Sequence, residues 1–120
     1  MARLATLPER GDDALVRLAG EEARARCELG RVAARFLAIK AHDRVGFPRV
    51  ADYARERLGI SGRELQSFAF VAARLAVLPL VAAEFLRGEI SWSQVRLLCA
   101  VADADSQAGW LARARGRTVR

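Results

Sequence analysis

The sequence predicts an all-α fold of about six helices, and three observations carry that expectation. Ala, Leu, Arg and Glu dominate while β-branched residues are sparse, so intrinsic propensity favours helix along the chain. Only three prolines interrupt 120 residues. Apolar residues recur at three- and four-residue spacing in each long segment. With 52% hydrophobic and 28% charged residues, the composition is that of a folded protein, and residues 1–120 are expected to form one domain.

Met1 to Gly11 is expected to be a short mobile leader. Asp12 or Asp13 then caps a long helix to about residue 40, with Glu21, Glu22 and Glu28 early and Arg31, Arg35 and Lys40 late, as the helix dipole favours. Leu15, Leu18, Ala25, Leu29, Val32, Phe36 and Ile39 form a heptad seam, interrupted by Glu22. Such a seam either pairs two helices in a homodimer or lies across the domain's own core. Gly20 and Gly30 each cost a free helix about 1 kcal/mol, which favours the core.

Residues 41–47 read as a connector that leaves the only histidine, His42, exposed. Residues 48–78 read as a helix-turn-helix. Pro48 suits a first helical position, and Val50, Ala51, Ala54 and Leu58 share one face. At the corner, Gly59 suits the left-handed conformation and Ser61 suits an N-cap. Glu64 would complete a capping box, and Ile60 and Leu65 a hydrophobic staple. The second helix runs to about Leu78, with Leu65, Phe68, Ala69, Ala72, Leu75 and Ala76 inward.

Residues 79–120 supply supporting helices and a basic tail. Pro79 opens a short helix closed by Gly88, and Ile90, Ser91, Gln94 and Val95 repeat the staple-and-cap design. Trp92 is expected to anchor packing, with Val95, Leu97, Leu98, Val101 and Ala102 inward. A last helix from Asp103 or Asp105 carries Trp110 and Leu111 inside and ends near Gly116. Thr118-Val119-Arg120 reads as the opening of a further helix, so the chain is expected to be part of a longer architecture.

A formal charge of +6 and a pI near 10.9 suit a protein that meets phosphates. The candidate contacts to double-stranded DNA are Arg63, Gln66 and Ser67 on one face of the second helix, with Ser61 at its start. Arg57 and Arg74 are candidates for the DNA backbone. Arg113 and Arg117 are further candidates, or simply the cationic end that a helix dipole favours. Phe70 interrupts the polar stripe and is expected to pack against another element.

Catalytic materials are few. The chain has one His, no Gly-rich phosphate loop, no CxxC pair and no gathered set of metal ligands. No cofactor or metal is expected, and the chain itself reads as non-catalytic. Cys27 and Cys99 read as free, inert thiols. No apolar run opens the chain, and Arg74, Pro79 and Glu84 interrupt the apolar stretch 68–86. A cytoplasmic protein with no membrane partner is expected.

Leu58-Gly59-Ile60-Ser61, Leu78-Pro79, the block from Phe85 to Ser93 and Val95-Arg96-Leu97-Leu98 resemble the helical region that precedes the nuclease domain in bacterial HNH endonuclease-like proteins (DUF222-like). Phe47 to Tyr53 and Trp110 to Arg120 fit the same pattern. The region is also distantly similar to the helix-turn-helix domain of ParB-type partition proteins, from which it departs by about one extra helical turn between Ser61 and Leu78. The nuclease domain is not present in this sequence, so the resemblance implies DNA binding without cleavage. The alternative is a protein-interaction or dimerisation domain working through the 12–40 helix.

Overall fold

The computed structural model describes residues 6–117. Among them are seven α-helices and no strand: α1 (Leu7–Ala38), α2 (Ala41–Arg44), α3 (Val50–Tyr53), α4 (Gly62–Leu75), α5 (Pro79–Leu86), α6 (Trp92–Val101) and α7 (Gln107–Arg117). No described helix is long and apolar enough to cross a membrane.

The long helix starts earlier than Asp12. Thr6 Oγ1 accepts from the Glu9 amide at 3.3 Å, Glu9 Oε2 accepts from the Thr6 amide at 3.1 Å, and Pro8 sits in the first turn. This reciprocal cap draws residues 7–11, expected in the leader, into the helix. Residues 1–5 lie outside the described residues. The 32 residues of α1 span about 48 Å. Its body contacts begin near Gly20, and from Leu7 to Ala19 every residue except Ala14 is exposed. The radius of gyration is accordingly 17.3 Å, against about 14 Å for a compact chain of this length.

The rest of α1 packs on α4 through its small residues. Gly20, Ala23, Gly30 and Ala33 are the buried positions of α1. At Gly30 the two backbones come so close that a Cβ would lie 2.2 Å from the Phe68 carbonyl oxygen and 2.8 Å from Ala72 Cβ. Only glycine permits that approach. The heptad seam was expected on this face, and the structure reverses that: Leu15, Leu18, Val32 and Ile39 are 69%, 52%, 62% and 61% exposed. Leucine-sized side chains could not enter so narrow a crossing, so the helix buries its small face and turns the seam outward. Phe36 is the seam residue with a partner, stacking on Tyr53 at 4.7 Å between ring centroids.

Two buried clusters flank this crossing. Val71, Leu75, Leu78, Val81, Phe85, Val95, Leu98 and Leu111 join α4 to α7 in the larger one. Ala33, Ala54 and Leu65 centre the smaller, with Ile60 packed against it. Lys40 ends α1 in the left-handed region, at φ 53°. That turn leads directly into α2 and buries His42, against its expected exposure.

The corner is built largely as the residues imply. Gly59 has φ 69°, and Ser61 Oγ accepts from the Glu64 amide at 3.0 Å. The return bond from the Glu64 side chain is not made, so the cap is one-sided. The preceding segment is one α turn followed by a π turn over Ala54–Leu58, where a continuous α-helix was expected. Its last amide bond runs from Ile60 back to the Ala54 carbonyl at 3.3 Å, which widens the turn. α4 stops at Leu75, because the residue before Pro79 is driven out of helical geometry and Leu78 takes φ −126°, ψ 69°.

Two hydrogen bonds and an ion pair fasten α5 to α7. α5 has no side-chain cap of its own, and buried Gln107 supplies one: its Oε1 accepts from the amides of Leu80 (2.9 Å) and Val81 (3.3 Å). Buried Glu84 on α5 pairs with Arg115 on α7. α7 itself is led in by Asp103, whose carboxylate accepts from the Ser106 amide at 2.8 Å. At α6, Ser91 and Gln94 form the expected reciprocal cap.

Gly30→Ala is expected to lower the unfolding free energy by about 3 kcal/mol, since either the crossing must open or Phe68 must shift; urea denaturation measures it. Lys40→Gly is expected to act in the opposite sense. Removing Cβ from a left-handed residue should raise stability by up to about 1 kcal/mol, visible as a higher melting temperature.

Candidate nucleic-acid interface

α4 and α6 cross with a groove between them. Arg63, Gln66, Ser67 and Phe70 project from α4, Ser93, Arg96, Leu97 and Ala100 from α6, and Val71 forms the floor. The groove encloses about 580 Å³. Helical spacing explains the lining. On α4, Leu65, Phe68, Val71 and Leu75 point inward, which turns the intervening polar residues out together. On α6 the inward set is Val95, Leu98 and Cys99.

Both ends of the groove are fixed by contacts between α4 and α6. At one end Phe68 meets Trp92 with ring centroids 5.0 Å apart, and the Arg26 guanidinium lies 4.8 Å from the Trp92 ring. At the other, Arg74 Nε donates to the Cys99 carbonyl at 3.0 Å and Nη2 to the Ala102 carbonyl at 2.6 Å. These acceptors belong to the C-terminal end of α6, where carbonyls lack helical partners. Arg74 thus positions α6 against α4.

The groove walls carry two guanidiniums and no carboxylate. Among the described residues, neither Arg63 nor Arg96 makes an ion pair, and both are exposed. Of the residues singled out by sequence, Arg63, Gln66 and Ser67 come together here. Ser61 sits below them as the cap of α4. Arg57 and Arg113 are exposed but do not line the groove, and Arg113 stacks on Trp110, 5.1 Å from the ring centroid. Arg117 is in α7, and its side chain lies outside the described residues, as does the expected helix opening at 118–120.

Phe70 is 47% exposed on the groove wall instead of packing against another element. Leu97 and Val101, expected inward, are 68% and 54% exposed. Ser93 and Arg96 had no place among the candidates. Their one-turn spacing opposite Val95 and Cys99 is the pattern that carried the signal. A second groove, with Arg24, Arg31 and Arg35 over a mainly apolar floor, lies between α1, α4 and α5.

Cys27 and Cys99 are both free thiols. Burial raises the pKa of each, and for Cys99 the push reaches about 11, which keeps it protonated and unreactive at neutral pH. Among the described residues no three His, Cys, Asp or Glu gather closely enough to hold a metal ion.

The fold and this groove define a small all-α domain that presents, between two of its helices, a groove in which two arginines and three further polar side chains stand beside Phe70, Val71, Leu97 and Ala100. The chain belongs to the DUF222 family, described as a domain of unknown function, whose family model matches residues 12–120. No curated protein and no solved structure matches it.

Arg74→Met is expected to cost about 2 kcal/mol of stability, because two carbonyls at the end of α6 lose charged donors. Chemical denaturation monitored through Trp92 and Trp110 fluorescence measures the loss.

Proposed function

We propose that this chain is a DNA-binding helical module, the N-terminal non-catalytic part of a bacterial HNH endonuclease-like protein acting in the cytoplasm. The observation that carries the reading is the acid-free groove in which Arg63, Gln66 and Ser67 of α4 face Ser93 and Arg96 of α6. In this reading the first two turns of α4 enter the major groove. Arg63 suits the acceptor edge of guanine and Gln66 that of adenine, while exposed Phe70 suits a thymine methyl. Arg96, Ser67 and Ser93 hold phosphates and so set the register. Arg57, two residues before the Gly59 corner, extends the cationic surface toward the backbone. Arg74 has a structural part, since its guanidinium is engaged by α6 carbonyls. The helix-turn-helix comparison with ParB-type proteins supports the entry of the second helix and rests on sequence pattern alone.

The rival reading is a protein-interaction domain without DNA binding, which the exposed apolar stripe of α1 favours. Fluorescence anisotropy on duplex DNA over a range of salt separates the two. Binding should weaken with salt at a log–log slope of about −2 to −4, as for a few phosphate contacts. Arg63→Ala and Arg96→Ala should each reduce affinity about ten-fold while leaving the melting temperature unchanged. Absence of binding to any duplex at low salt would reject the DNA reading.

A further inference from the structure

We propose that two copies of this chain associate antiparallel through α1, so that the overhang of each lies along the exposed apolar stripe of the other. Residues 7–19 leave the body as a helix without tertiary support, and a free helix of that length is marginal in water. Leu7, Leu15, Val16 and Leu18 are nevertheless exposed on it. The body-bound half of the same helix exposes Leu29, Val32 and Ile39. Each half therefore offers what the other lacks a cover for.

Charge selects a second copy and its direction. From Leu7 to Glu22 there are five carboxylates against two arginines; from Ala23 to Ala38 there are four arginines against one carboxylate. Antiparallel pairing lays the acidic half of one helix on the basic half of the other, whereas parallel pairing sets like on like. The register follows from the heptad. With the two-fold axis between Glu22 and Ala25, Leu15 of one copy faces Val32 of the second, and Leu18 faces Leu29. Glu22, the polar interruption of the seam, then faces small Ala25 and keeps its own partner Arg26 at 3.4 Å; in parallel pairing it would face another Glu22. Gly11 falls opposite the Phe36–Tyr53 ring pair, the bulkiest part of the stripe. The layers of the seam from Gly11 to Phe36 thus find complementary ones.

Sedimentation equilibrium and disulfide trapping test the proposal on the full chain. The mass should be twice 13.1 kDa at micromolar concentration. Leu18→Glu should return it to 13.1 kDa, with helical circular dichroism falling by no more than the unsupported residues 7–19 account for and the body still folded, since Leu18 is exposed within its own copy. In a Cys27→Ser background, mixing the Leu15→Cys and Val32→Cys variants should give the mixed disulfide in excess over either homodimeric one. A monomeric wild-type chain, a dimer indifferent to Leu18→Glu, or preferential trapping of the Leu15→Cys variant with itself would each overturn it.

Discussion

The close approach of α1 and α4 at Gly30 is the contact on which the other features depend. A Cβ at that position would overlap the Phe68 carbonyl, so the two helices meet almost backbone to backbone. Such a crossing accepts only the small face of α1, with Ala23 and Ala33 to either side. Helical geometry does the rest. Once that face is inward, the larger apolar residues of the heptad seam are turned away from the body, and they remain exposed along most of the helix. The packing of α4 therefore decides what α1 offers to a partner.

Polar side chains hold the remaining helices in place, and this divides the arginines into two groups. Arg74 caps the carbonyl end of α6, Arg115 pairs with buried Glu84, and Arg26 lies over the rings of Phe68 and Trp92. Gln107 plays the corresponding part for the amides at the start of α5. Glu84 and Gln107 are buried and the arginines lie at the edge of the core, and each of these contacts ties together two helices distant in sequence. Arg63 and Arg96 stand outside that framework and line a groove whose ends it holds open. The proposed interface is thus built from cations that the fold does not use, positioned by ones that it does.

How far these features were legible from sequence varies with the range of the interactions. The caps at Ser61 and Ser91 and the left-handed Gly59 follow from residues three or four apart, and the structure has them. The stripe of Arg63, Gln66 and Ser67 was readable because helical period alone puts those residues on one side. Arg96 carries no sufficient local signal, because its place in the groove depends on α6 lying beside α4. Arg74 reads in the sequence as a backbone contact because nothing in its neighbours announces the α6 carbonyls, 25 and 28 residues away. Gly30 reads there only as a cost to the helix.

Sequence by itself determined the helical class, the capped starts of α4 and α6 and the outward face of α4, since propensity, capping and periodicity act within a few residues. Tertiary structure decided which face of α1 is buried, which arginines are engaged inside and which groove collects the remaining polar residues. Those outcomes depend on distances between helices that are far apart in the chain. A seam of leucines and a stripe of small residues compete for the same neighbour, and only the width of the gap at Phe68 and Ala72 settles which one α4 receives.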